Sequence, residues 1–450
     1  MDLKLNGKFQ ISAALRNIII NTGWLFLLRL LRIAFAFFVS VWLTRYLGPA
    51  QFGVLSYAFA LVALFAPLAK LGLDSVVVHE ILQNPSRKDE IVGTSFYLRL
   101  AAGILSMIMV VAVIMLLRRG DTLTKTLTAV IAFGAIFQAY DVIDVWFQAR
   151  AELKYPVYAK SVALIFANVA KVVLILAKAS LLAFAWVAAF EVIIGAAGLV
   201  IAYRATGSGV REWRASRAMA KRLLGLGWPM ILASTFAIVY LKIDQVMLGQ
   251  MTSEHEVGIY STAVRISEVW YFVPIAISTV VFPHLVQSKS LGRAVFRARV
   301  QQVYDFLAWV SLSVAVVMTF AAHFIIVLLF GEAYARSAAI LEIHIWAGIF
   351  VFLREALGRW FITENLLAFA FISNGLGALV NIVLNFILIP RYQGMGAAIA
   401  TVISYAAAGY LACFVHPKTR EAAAMMSRAL IVPLRAVAAA LRARRSGGGP

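Results

Sequence analysis

The sequence predicts an all-α polytopic membrane protein, with about 12 transmembrane helices in two six-helix bundles around a central cationic cavity. The chain has 450 residues, of which 62% are hydrophobic, and its mean hydropathy is +0.88. Only 14% of the residues are charged, well below the roughly 25% of soluble domains. The apolar residues lie in long continuous runs, whereas strands of a membrane β-barrel would be about ten residues long and alternate in polarity.

Twelve apolar runs are long enough to cross about 30 Å of hydrocarbon. The first follows a basic stretch that lacks the short apolar region and cleavage site of a signal peptide, so we expect it to remain in the mature protein. The runs lie near residues 18–43, 52–73, 93–117, 123–147, 157–177, 181–203, 228–249, 257–282, 303–329, 337–360, 366–389 and 394–415.

The basic residues outside these runs are distributed unequally between the two sides of the membrane. With the N-terminus in the cytoplasm, 24 Lys and Arg residues lie on the inner side and 6 on the outer side. Cytoplasmic loops carry the excess of basic residues in membrane proteins. Both termini are therefore expected to lie in the cytoplasm.

The chain divides into two halves with similar sequence patterns. We expect an N-terminal bundle over 1–203, a cytoplasmic linker over 204–227, a C-terminal bundle over 228–415 and a basic tail over 416–450. The stretches FGVLSYA (52–58) and VGIYSTA (257–263) share Gly, Ser and Ala in register, and NVAKVVLIL (168–176) resembles NIVLNFILI (381–389) at a similar offset. These matches favour a parallel duplication with a substrate site between the halves.

The alanine-rich tail has two interpretations. Arg428, Arg435 and Arg442 are spaced by seven residues, which is compatible with a surface helix attracted to anionic lipid. The alternative is an unstructured basic tail that only fixes the topology.

Two arginines lie within the first apolar run. Arg29 and Arg32 are three residues apart and therefore share one helix face. An arginine in a membrane helix costs about 3 kcal/mol or more unless it faces a polar interior. They either pair with carboxylates such as Asp141 and Asp144 or line an aqueous cavity together with other cations in the spans. The candidates for substrate binding are Arg29, Arg32, Lys70, Lys242, Arg265 and Arg354.

The carboxylates of the spans are fewer than the cations, so the interior is expected to be net positive. Guanidinium groups bind phosphate through bidentate, charge-assisted hydrogen bonds. A cavity of this kind suits a phosphate or pyrophosphate head group better than a cationic drug. Asp141 and Asp144, also three residues apart, either bind a coupling proton or sodium ion or only neutralise nearby arginines.

Signatures of soluble enzymes are absent from the sequence. It contains no GxxxxGK[ST] and no HExxH motif, and its one cysteine, Cys413, excludes an intrachain disulfide and a cysteine-rich metal site. We therefore expect a transporter rather than an enzyme, with no cofactor beyond a possible ion gradient and no nucleic acid partner.

Four stretches of the chain resemble the polysaccharide flippases, the O-antigen and exopolysaccharide repeat-unit exporters of the multidrug/oligosaccharidyl-lipid/polysaccharide exporter superfamily. The stretches are LTRYLGPAQFGVLSYA (43–58), WPMILASTFAIVYLKIDQVMLG (228–249), VGIYSTAVRISEVWYFVPIAISTVVFPHL (257–285) and NIVLNFILIPRYQGMGAAIATVISYA (381–406). In the related lipid II flippases an arginine of the eighth helix lines the cavity, and Arg265 lies at the matching place. Those relatives usually carry two further C-terminal helices, so twelve spans favour the repeat-unit flippases.

The resemblance implies a substrate and a mechanism. An undecaprenyl-pyrophosphate-linked oligosaccharide would move from the cytoplasmic to the outer leaflet by alternating access, for the synthesis of a surface polysaccharide. Membrane lipids and other polysaccharide assembly proteins would be its partners. Two alternatives remain open at this point: a multidrug cation antiporter of the same fold, whose cavity should be acidic or aromatic, and a membrane-embedded polysaccharide ligase or polymerase.

Overall fold

The computed structural model describes residues 13–363 and 367–431, without the side chains of 13–33 and of several residues within 279–289 and 359–370. The described chain is α-helical, with short 3₁₀ turns between helices, and nine of its helices are long and apolar enough to cross a membrane. The α-helices are α1 (Ala13–Lys70), α2 (Leu73–Gln83), α3 (Lys88–Leu117), α4 (Thr122–Ile136), α5 (Asp141–Ala149), α6 (Lys154–Leu176), α7 (Leu181–Ala205), α8 (Arg217–Met251), α9 (Glu254–Val269), α10 (Phe272–Ser290), α11 (Arg293–Phe330), α12 (Ser337–His344), α13 (Ala347–Thr363) and α14 (Leu367–Gly409).

Two of these helices each contain two of the predicted spans. The backbone of α1 leaves the helical conformation at Gly48, which has a φ of 69°, a value that glycine adopts without steric cost. That of α14 does so at Gln393. Conversely, α9 and α10 together correspond to the single run 257–282. With these correspondences the helices account for about twelve spans, as predicted.

The two halves are in close contact at the end of the molecule that contains Gly48, here called the kink end. The Cβ of an alanine at Gly258 would stand 1.9 Å from the carbonyl oxygen of Pro49, and one at Gly53 would stand 1.7 Å from that of Glu254. Gly53 and Gly258 are the matched glycines of the two repeated stretches. The internal repeat therefore has a structural meaning, because each copy supplies the glycine that lets the other half approach.

Further interactions join the halves at the kink end. The Arg118 guanidinium at the end of α3 pairs with Glu254 at 2.6 Å, and its carbon lies 4.9 Å from the centre of the Tyr57 ring. Tyr334 donates a hydrogen bond of 2.7 Å to the carbonyl of Thr44. This end of the molecule is closed by backbone packing and by ion pairing.

The opposite end carries the connection 206–216 and is here called the linker end. Helix α8 starts there against the N-terminal half, where Met219 and Leu223 are buried in the same core as Trp146 and Arg222 pairs with Glu80 at 2.9 Å. The same helix then continues into the C-terminal half. The segment that the sequence assigns to the linker is thus partly helical.

The start of the tail packs against the C-terminal half. Residues 420–431 are helical, and Met426 is buried in one core with Phe296 and Tyr304 of α11. Arg297 and Arg293 both pair with Glu421. Arg428 lies in this packed segment, whereas Arg435 and Arg442 fall outside the described residues.

Candidate functional site

A cavity of about 880 Å³ lies mainly within the N-terminal half, between α1, α6 and α7. The C-terminal half contributes Arg265 from α9 to its wall. Small side chains such as Ala163, Gly195 and Ala196 leave space between the helices. Among the described side chains, its charged lining residues are four bases and two acids, namely Lys70, Lys160, Lys171, Arg265, Asp141 and Glu191.

Arg265 is the cation that the sequence placed at the matching position of the lipid II flippases. Its guanidinium donates hydrogen bonds to the hydroxyls of Ser40 and Thr44 and lies 4.8 Å from the centre of the Phe52 ring. Within the described residues it has no carboxylate within 4 Å. Neutral hydroxyls and an aromatic face hold the group in place without a direct ion pair among the described residues, so it can attract an anion from the cavity.

Among the described side chains, Asp141 and Asp144 share a lysine as their ion-pair partner. The Lys160 ammonium lies 3.1 Å from Asp141 and 2.5 Å from Asp144. The lysine side chain is 45% exposed and that of Asp141 is 28% exposed, so the group can still reach other partners in the cavity. The predicted pairing of these aspartates with Arg29 and Arg32 falls outside the described side chains, and the described partner is Lys160.

A second ion pair lies nearer the kink end of the same wall. Lys171 and Glu191 are 3.6 Å apart and both are partly exposed. Lys160, Asn168 and Lys171 all line the cavity from α6, and Lys160 and Lys171 are about 16 Å apart along the helix axis. This wall offers both hydrogen-bond donors and acceptors.

The structure brings together only part of the predicted substrate-binding set. Lys70 and Arg265 line the cavity, whereas Lys242 and Arg354 are not among its lining residues. Lys242 pairs with Glu268 at 3.3 Å, and Arg354 donates a hydrogen bond to Asn374. Both interactions are within the C-terminal half. Arg29 and Arg32 lie in α1, but their side chains are outside the described part.

A buried carboxylate in the C-terminal half was missed as a site by the sequence analysis. Asp244 is 2% exposed and accepts hydrogen bonds from Tyr260 at 2.8 Å, Thr401 at 2.6 Å and Asn385 at 2.5 Å. Asn381 in turn donates to Ser404 at 3.3 Å. No cation lies within 4 Å of Asp244 in the described part of the chain. An aspartate inside an apolar run was the available signal, because such residues are costly in a membrane and usually functional.

Two family profiles match this chain. The family described as "Polysaccharide biosynthesis protein" matches residues 18–289, more than half of the chain. The chain belongs to this family. A second profile, described as "Lipid II flippase MurJ", matches residues 156–443. Both profiles cover more than half of the chain, so the chain belongs to a family of flippases and transporters and not to a family of enzymes.

Individual relatives are distant. The chain is 24% identical over 212 residues to the probable low-salt glycan biosynthesis flippase Agl15 of Haloferax volcanii, a match that covers 44% of this chain and 43% of that protein. The chain therefore matches less than half the length of this relative.

Among solved structures, the fold is similar to an inward-facing multidrug resistance MATE family transporter, with a TM-score of 0.71, 14% identity, and coverage of 88% of this chain and 96% of that one. It is also similar to the lipid II flippase MurJ in an inward closed conformation, with a TM-score of 0.67, 15% identity, and coverage of 90% and 91%. These similarities establish the fold.

Proposed function

We propose that this flippase moves undecaprenyl-pyrophosphate-linked oligosaccharide repeat units from the cytoplasmic to the outer leaflet of a bacterial inner membrane. The product would serve the synthesis of a surface polysaccharide such as O-antigen or exopolysaccharide. The observation that carries the proposal is Arg265, a guanidinium without a described carboxylate partner in the wall of a cavity of about 880 Å³. Pyrophosphate supplies the charge and the geometry that such a group binds best.

The walls of the cavity suit the two polar parts of such a substrate. Arg265, Lys70 and, as we further propose, Arg29 and Arg32 attract the pyrophosphate. The ion pairs of Lys160 and Lys171 offer donors and acceptors to the sugar hydroxyls. Carrying the sugars through a polar cavity avoids the cost of several kcal/mol for each hydroxyl left unsatisfied in hydrocarbon. Lys242 and Arg354 would act on the substrate only in another conformation.

The contrast between the two ends supports alternating access as the mechanism. The halves are packed closely at the kink end, and the exposed residues Lys70 and Lys160 line the cavity towards the linker end. We infer that the linker end faces the cytoplasm, in agreement with the distribution of basic residues. A reporter fused at Ser208 should then be cytoplasmic and one at Thr252 should be outside, and a reversed pair would contradict this orientation.

Coupling to a proton or sodium gradient is part of the proposal. Asp141 and Asp144 remain candidates, although Lys160 already balances much of their charge. Asp244 fits the role better, because it is buried and its described partners are neutral hydroxyl and amide groups. Its oxygen-rich surroundings would suit either a proton or a small hard cation.

The rival functions differ in the chemistry that they need. A multidrug cation antiporter should have an acidic or aromatic cavity. Four phenylalanines line the cavity here, but its described charged lining residues include more bases than acids, which disfavours a cationic substrate. A ligase or polymerase would transfer glycosyl groups, and membership of a flippase family argues against this activity.

The proposal can be tested with purified protein in liposomes. A fluorescent undecaprenyl-pyrophosphate-linked oligosaccharide should become accessible to a lectin on the opposite side only when the protein is present. Liposomes with a multidrug substrate such as a fluorescent organic cation serve as the comparison. Transport of the cation without movement of the glycolipid would overturn the proposal.

A further inference from the structure

A second cavity of about 220 Å³ lies between α1, α3, α4 and α7, beside the main cavity. We call it the alanine pocket. Its volume depends on small residues, because a larger side chain at any of several positions would fill it. These positions are Ala63, Ala66, Ala69, Gly103, Ala132 and Ala135.

The alanine pocket is suited to an apolar occupant. Apart from Ser106 and Gln138, the residues that line it are apolar. The Ser106 hydroxyl already donates a hydrogen bond of 3.3 Å to the carbonyl of Phe65. Ordered water in a cavity needs two to four polar partners, and only the Ser106 and Gln138 side chains offer any here, so most of the space suits an apolar group.

The alanine pocket adjoins the charged cavity. Phe59, Gln138, Ala188 and Val192 line both spaces. Phe59 is seven residues beyond Phe52, on whose ring Arg265 lies, which corresponds to about 10 Å along α1. An anion held by Arg265 would therefore lie close to the mouth of an apolar space.

We propose that the alanine pocket holds the isoprenoid units nearest to the pyrophosphate of the substrate. This inference rests on the proposed function. In an undecaprenyl pyrophosphate the apolar chain is covalently bonded to the charged group, so a pyrophosphate in the aqueous cavity would draw its first isoprenoid units into water. The adjoining pocket shelters them. Since a cavity of about 150 Å³ takes up benzene, 220 Å³ has room for about two five-carbon units.

The affinities for two soluble probes test the inference. Inorganic pyrophosphate contains only the charged group, and geranyl pyrophosphate adds two isoprene units. Calorimetry on the full chain in nanodiscs should show geranyl pyrophosphate binding at least about tenfold more tightly than pyrophosphate. In Ala66→Leu and Ala135→Leu, each of which fills part of the pocket, this advantage should fall to less than about twofold, with unchanged affinity for pyrophosphate. Ala112→Leu, on an exposed face of α3, is the matched control and should retain the advantage.

Three results would overturn the inference. The first is equal binding of both probes by the unsubstituted protein, which is the result expected if the pocket holds a membrane acyl chain. The second is survival of the advantage in both filled variants. The third is the absence of pyrophosphate binding, which would also remove the proposed pyrophosphate site. The first two results would leave the proposed flippase function in place. Unchanged pyrophosphate affinity in the leucine variants shows that they are folded.

Discussion

Asn168 and Asn381 begin matching stretches in the two halves, but their surroundings differ. Both are buried, but Asn168 lies in the wall of the open cavity, whereas Asn381 belongs to the hydrogen-bonded group around Asp244. The repeated stretches at 52–58 and 257–263 show the same contrast. Leu55 faces the cavity, and its counterpart Tyr260 donates a hydrogen bond to Asp244.

This difference teaches that a duplicated helix pattern can serve two purposes. In the N-terminal half, small residues on α6 and α7 leave a space whose charged groups are paired but still accessible. In the C-terminal half, tyrosine, asparagine and threonine side chains fill the corresponding region around one carboxylate. We infer that the cavity of the first half, with Arg265 of α9 in its wall, handles the substrate, and that the region around Asp244 responds to an ion or holds the helices together.

The largest effect is expected at Arg265. Arg265→Ala should lower glycolipid transport in liposomes by more than about tenfold, because charge-assisted hydrogen bonds to phosphate contribute about 1.5–3 kcal/mol. Arg265→Lys should restore part of it, since it keeps the charge but loses the bidentate geometry. The double variant Lys242→Gln/Glu268→Gln removes a cation that does not line the cavity, without stranding its partner, and should retain at least a third of the transport. An equal loss in both would end the distinction between the cavity and the rest of the C-terminal half.

A smaller effect separates the two aspartate sites. Asp244→Asn should lower the stability of the protein by about 1–3 kcal/mol. The new amide nitrogen would face groups that donate to the carboxylate, and an unsatisfied buried group has a cost of this size. Asp141→Asn should change stability by less than about 1 kcal/mol, because the group is partly exposed and Lys160 keeps Asp144. Thermal unfolding in detergent measures this difference in stability.

The two aspartate sites should also differ in coupling, which is measured as transport with and without ion gradients. We expect only Asp244→Asn to abolish the response to a gradient. A gradient response that is lost in Asp141→Asn and kept in Asp244→Asn would reverse the assignment.

The smallest effect is expected on the closure of the kink end. The Cβ in Gly258→Ala would stand 1.9 Å from the carbonyl oxygen of Pro49, whereas ordinary contacts begin at 3.4 Å, so the halves must separate by at least about 1.5 Å there. Spin labels at Lys178 and His255, in a Cys413→Ser background, should report the longer distance.

Gly225→Ala is the matched control for this substitution, because a Cβ at Gly225 meets nothing within 4 Å. It should leave the distance between the labels unchanged. An unchanged distance in Gly258→Ala as well would show that the glycines are not what allows the halves to close.

Much of the architecture could be predicted from the sequence because it depends on local properties. Continuous apolar runs identify the spans, since only helices satisfy their own backbone hydrogen bonds within hydrocarbon. The break in α1 at Gly48 falls in the gap between the first two predicted spans, where Pro49 follows a residue that can adopt positive φ. The repeat around Gly53 and Gly258 was visible as a pattern, although nothing in it showed that the two glycines face each other.

The candidate site was only partly predictable, because its interactions join residues far apart in the chain. Hydropathy alone identified Arg265 as a cation within a span, but the neutral groups that hold it come from Ser40 and Phe52 of another helix. Lys160 lies 16 residues beyond Asp144, and Asp244 takes one partner from α9 and others from α14.

The sequence by itself determined which charges lie in the membrane, since charge and hydropathy are properties of single residues. Only the tertiary packing decided which of these charges are paired, which is buried among neutral groups and which face a cavity. Each of these outcomes depends on the distance between helices that contribute side chains to the same space.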